Sequence, residues 1–168
     1  MSYGQPQVND NGDIVFVSIS ELPYKLGRVY CANRPMCLMH TTGTNIEKIN
    51  KITSDEFSAR SPRFVPKSRK IVYFQRAPYG PHSECESIMI YDLGANSNRE
   101  LVPVVKEYPK SDDEFSGIFT GIYGDQFLSD PFITVDNQPV LMISTVAKNT
   151  VASLGEGYDK NSILRQKS

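Results

Sequence analysis

Short runs of β-branched and aromatic residues alternate with polar turns along this chain, and the alternation recurs. Residues 61–76, SPRFVPKSRKIVYFQR, give an extended stretch at Pro62–Pro66, a polar turn at Lys67–Lys70 and an apolar run at Ile71–Phe74. That pattern predicts strand, turn, strand. Upstream, the turn-rich cluster Asn9–Asp13 precedes the run Ile14–Val17, and downstream Phe132–Val135 and Val140–Ile143 flank another polar turn. The apolar cores at Ile14, Ile71 and Val140 lie 57 and then 69 positions apart. A spacing of that size, filled with short strands, predicts propeller blades separated by some long loops.

The second half of each unit fits the same scheme. Pro35–His40, a turn at Thr41–Asn45 and Ile46–Ile49 complete the first; Glu86–Asp92, a turn at Leu93–Asn98 and Arg99–Val105 complete the second. Gly and Asn in these turns supply the positive φ that tight turns require. The expected fold is therefore all-β, a partial β-propeller of about two to three four-stranded blades. Its expected divisions are a first blade-like unit at 5–52, a second at 58–106, a partial third at 114–150 and a polar tail at 151–168. Ser54–Arg60 begins like a capped helical turn, but Pro62 stops it. Lys106–Glu114, KEYPKSDDE, reads as a solvated charged link.

Composition adds exclusions. With a formal net charge of −1 and 22% charged residues, the chain lacks the clustered cationic excess of a nucleic-acid or anionic-membrane surface. The residues after Met1 show neither the basic nor the apolar part of a signal peptide, and no apolar run is long enough for a bilayer. Cys31, Cys37 and Cys85 include no C-x-x-C pair, which argues against a disulfide framework or zinc site and for a reduced, intracellular setting. No cofactor or metal is expected.

Candidate chemistry is sparse. His40 and His82 are the only histidines, and each reads better as a strand-end or loop residue than as a general base. Cys85 follows His82 by three positions, yet no third group or oxyanion donor accompanies them. Asp10, Asn11 and Asp13 resemble part of a calcium loop but lack its closing glutamate, so a hydrogen-bonded turn explains them better. Gly121–Gly124 lacks the third glycine and the helix of a dinucleotide loop. Lys25, Arg28 and Arg34 lie in the long connection inside the first unit, where they could meet a peptide carboxylate or simply pair with nearby acids. No G-x-S-x-G nucleophile elbow occurs; Ser116-Gly117 and Ser153-Leu154-Gly155 are the nearest text. No catalytic residue is assigned.

Three segments together resemble the N-terminal propeller of the acylaminoacyl-peptidase (acylamino-acid-releasing enzyme) family, within the prolyl oligopeptidase class. They are GDIVFVS with LPYKLGRVYCANRP (12–18 and 22–35), SPRFVPKSRKIVYFQ with PHSECESIMIYDL (61–75 and 81–93), and EFSGIF (114–119). The resemblance covers most of residues 5–145. It implies a serine-type hydrolase in which a propeller covers an α/β-hydrolase domain and admits only short N-acylated peptides. It further implies a cytoplasmic setting and oligomer formation. This chain would then be a non-catalytic propeller fragment whose partners are the hydrolase domain and the remaining blades, with N-acylated peptide met only indirectly. The alternative is a stand-alone β-sheet interaction module without peptidase activity.

Overall fold

The computed structural model describes residues 2–20, 34–80, 84–106, 121–123, 132–135, 138–144 and 149–153. Lys25, Arg28, Cys31, His82, the segment 114–119, most of the 106–114 link and the tail from 154 lie outside them. No helix forms among the described residues, and all regular structure is β.

Four strands form a first antiparallel meander: β1 (Ser2–Val8), β2 (Asp13–Ile19), β3 (Met36–Thr42) and β4 (Asn45–Lys51). Four more form a second: β5 (Ser58–Phe64), β6 (Lys70–Arg76), β7 (Ser87–Asp92) and β8 (Ser97–Val102). A single parallel bridge, Met36 to Ser58, joins the two. A three-stranded sheet follows, with β10 (Gln138–Ser144) between β9 (Phe132–Val135) and β11 (Asn149–Ser153). The sheets stack in series and do not close, so the molecule is a partial propeller.

Burial explains the arrangement. Strand alternation gives β2 and β6 two apolar faces each, and each core forms between successive sheets rather than inside one. Val15, Val17, Met36 and Leu38 of the first meander meet Ala59, Ile71, Tyr73, Met89 and Tyr91 of the second. Val72, Phe74 and Ile88, on the other face of the second meander, join Val102, Ile122 and Leu141, with Phe132 packed against them. The fourth strand of each meander is mostly solvated: β4 is exposed throughout and β8 over its first four residues.

Two features lay outside the expectation. Ser2–Val8 is a strand, although its polar text carries no β-rich run, because β2 offers it a ladder. Ser58–Arg60 continues into β5 instead of ending a helical turn. Both strands bulge just before a proline, at Gln5 (φ 52°) and Ser61 (φ 51°). The two bulges touch: the Ser61 amide donates to Gln5 Oε1 at 2.7 Å.

Candidate functional site

The antiparallel order sends the β2–β3, β6–β7 and β8–β9 connections out from one end of the strands and leaves the short turns at the other. A buried polar cluster marks each end.

At the turn end, Asn9 Oδ1 accepts from the amides of Asn11 (3.0 Å) and Asp13 (2.9 Å), closing an Asx turn. Gly12, at φ 76°, lets the chain reverse there. This hydrogen-bonded turn is what the residue pattern predicted. Asp13 itself, only 2% exposed, does more. Its carboxylate accepts from Asn9 Nδ2 at 3.0 Å, and His40 Nε2 lies 3.0 Å from Oδ1. Arg69, in the β5–β6 turn of the other meander, donates Nη2 to Oδ1 at 2.9 Å and Nε to Oδ2 at 3.1 Å. The Arg69 guanidinium, helped by Asn9 and His40, outweighs burial and holds the Asp13 carboxyl down to about 2. An ionised carboxylate can only accept, so His40 carries its proton on Nε2 and spends it on Asp13. His40 is thus an anchor between strands. The turn Lys67–Lys70, which reads as solvent-facing, clamps the first meander to the second through Arg69.

At the loop end, Arg60 of β5 and Arg76 of β6 converge on Glu86, all three buried. Arg60 Nε donates to Glu86 Oε1 at 2.9 Å, its Nη2 also reaches that oxygen, and Arg76 Nε lies 3.6 Å away. The Arg60 guanidinium sits 6.0 Å from the centroid of Phe74, its cross-strand neighbour. The Glu86 amide donates to Ile122 O at 2.8 Å, and Cys85 packs so tightly on Gly121 (φ 108°) that a Cβ there would stand 2.5 Å from Sγ. The cluster therefore ties β5, β6 and β7 to residues 121–123 at the strand ends from which the long connections leave. Sequence reasoning missed it, although a signal exists. Arg76 follows Val72 and Phe74 at period two, and Glu86 precedes Ile88 in the same register, so two charges occupy core positions.

Among the described residues, Cys37, Cys85 and Arg34 remain. Cys37 Sγ donates to Asp55 Oδ1 at 2.8 Å, and burial with that carboxylate pushes the thiol up to about 11, far from a reactive thiolate. Cys85 is buried. Arg34 is half-buried, with Nε lacking a hydrogen-bond partner among the described residues. Among the described residues no three His, Cys, Asp or Glu side chains gather as a metal site. What the two clusters can do chemically is fix strands and hold charge in place.

The family model for the N-terminal domain of acylamino-acid-releasing enzyme matches residues 2–155. The chain belongs to that family. Among its relatives, the acylamino-acid-releasing enzymes of Homo sapiens and Mus musculus are 29% and 28% identical over 109 residues, each alignment covering 65% of this chain. Acylamino-acid-releasing enzyme 1 of Oryza sativa is 28% identical over 155 residues, covering 78%. The matched region is 14% of the two mammalian enzymes and 20% of the rice one, so the chain corresponds to a small part of these relatives. Both polar clusters lie inside the span that the family model matches.

Proposed function

We propose that this chain is a non-catalytic propeller portion of an acylamino-acid-releasing peptidase, which restricts substrate access and docks a hydrolase domain. The observation that carries this reading is that the family match is to the N-terminal domain, while the 168 residues hold no G-x-S-x-G elbow. The buried Arg60–Glu86–Arg76 cluster supports it, because it stiffens the strand ends from which the long connections leave. A rigid platform under variable loops is what a docking surface needs. In this reading the blades run over 5–52, 58–106 and, in part, 114–150. The whole assembly is a cytoplasmic serine hydrolase acting on short N-acylated peptides, which this portion contacts only indirectly.

The test is an assay of the purified chain against a chromogenic N-acetylamino-acid amide, with calorimetric titration against a hydrolase domain of the family. No amide cleavage and measurable binding are expected. Cleavage blocked by a serine-directed inhibitor would overturn the non-catalytic assignment, and absence of binding would overturn the docking role.

A further inference from the structure

Of the chain's asparagines, Asn11 alone is followed by glycine. An asparagine side-chain amide carbon lies within reach of the next residue's backbone nitrogen, and joining the two closes a five-membered ring. A side chain on that next residue hinders the closure, and glycine has none. The surroundings leave the ring room. Asn11 is exposed, its side-chain amide takes no hydrogen bond from the described residues, and a Cβ built on Gly12 would meet nothing within 4 Å.

What gives the site weight is its place in the fold. Asn9 Oδ1 holds the amides of Asn11 and Asp13 together, and the Asn9 amide donates to Asp13 O at 3.1 Å. Gly43, in the β3–β4 turn, donates its amide to Gly12 O at 2.8 Å. The position of the Asp13 carboxylate therefore depends on the length of backbone between residues 9 and 13. That carboxylate is the one Arg69 grips from the other meander at 2.9 and 3.1 Å.

We propose that Asn11–Gly12 is a site of spontaneous modification, where asparagine becomes isoaspartate and releases the clamp between the two meanders. The Gly12 amide gives its proton to water, and its nitrogen bonds to Asn11 Cγ. The Cγ–Nδ2 bond then breaks, and ammonia leaves with that electron pair and a proton. Water opens the resulting succinimide at either carbonyl. Opening at Cγ yields aspartate; opening at the backbone carbonyl routes the main chain through Cγ and yields isoaspartate. The net change is amide plus water to acid plus ammonia, with no redox step. Folding slows the reaction, since the Gly12 amide is engaged with Asn9 O at 3.0 Å and is freed only when the turn opens. Isoaspartate lengthens the main chain by one carbon, roughly 1.5 Å, and hydrogen bonds stretched that far are lost. Asn9 Oδ1 then cannot hold both amides, and Asp13 leaves the position that Arg69 and His40 address. The inference concerns the turn and is independent of the docking role proposed above.

The test is to age the purified full chain at mildly alkaline pH and map its peptides by mass spectrometry. Isoaspartate is read separately by labelled methyl transfer from an isoaspartate-specific carboxyl methyltransferase. Asn11 should convert before any other asparagine and score as isoaspartate, and Asn11→Gln, whose ring closure is less favourable, should abolish the early signal. The modified species carries one more negative charge and is separable by anion exchange. In urea unfolding, Arg69→Met should shift the midpoint of the fresh chain and leave that of the isoaspartyl species unmoved. Asn11→Asp adds the same charge without lengthening the backbone and should keep the shift. An Asn11 that outlasts the other asparagines, or converts to aspartate alone, would overturn the proposal. So would an isoaspartyl species that still responds to Arg69→Met, or a fresh Asn11→Asp chain that does not.

Discussion

Replacing Asp13 by Asn keeps the shape of the residue that clamps the two meanders together and removes its charge. Asp13 is buried and receives two hydrogen bonds from the Arg69 guanidinium, and each such charge-assisted bond contributes about 1.5–3 kcal/mol where both partners are dry. Arg69 is not dry, since its side chain is 49% exposed and water recovers part of the loss. The expected coupling in a double-mutant cycle with Arg69→Met is therefore about 1–2 kcal/mol, read by urea unfolding of the full chain. The pH dependence gives an independent check. The carboxyl is held down to about 2 in the folded chain, below its ordinary value of 3.8. A depressed folded pKa stabilises above the unfolded pKa and is lost as pH falls through the folded one. The stability gap between wild type and Asp13→Asn should thus be full above about pH 5 and close between about pH 4 and pH 2. A coupling near zero, or a gap that persists at pH 2, would refute the clamp.

Other consequences are as direct. Glu86→Gln leaves Arg60 and Arg76 buried with a neutral partner and should cost about 3 kcal/mol or more in urea unfolding; a cost under about 1 kcal/mol would mean the cluster is hydrated. Gly121→Ala drives a methyl group to within 2.5 Å of Cys85 Sγ at φ 108°, so thermal unfolding should show a loss of about 1–3 kcal/mol. Cys85→Ala in the same chain should restore part of that loss. Cys37, raised to about 11 by burial and by Asp55, should resist maleimide at pH 7 in the folded chain and label on unfolding, as peptide mapping would reveal.

The strands were legible where alternation was strong. Ile14–Val17, Ile71–Phe74 and Phe132–Val135 each fall inside an observed strand, because β-branched and aromatic residues fit a pleated surface. Ser2–Val8 was not legible: its order comes from partners on β2 and from the Gln5–Ser61 contact, which are long-range facts. The same holds at the clusters. A turn cluster around Asp13 could be read locally, but Arg69 reaches it from 56 positions away, and no local pattern encodes that distance. Arg76 and Glu86 were half-legible, as charges standing in the apolar register of their strands, although their convergence required the topology.

The paired bulges carry one more consequence. β1 is the rim of the first meander, laddered to β2 alone, and a straight polar rim would offer a regular row of amides to any stray strand. Pro6 has no amide to offer, and the left-handed turn of the backbone at Gln5 throws the next residues out of line. The same kink at Ser61 sits harmlessly indoors, its amide taken up by Gln5. One backbone device thus serves as a joint in the interior and as a guard against runaway fibre growth at the margin.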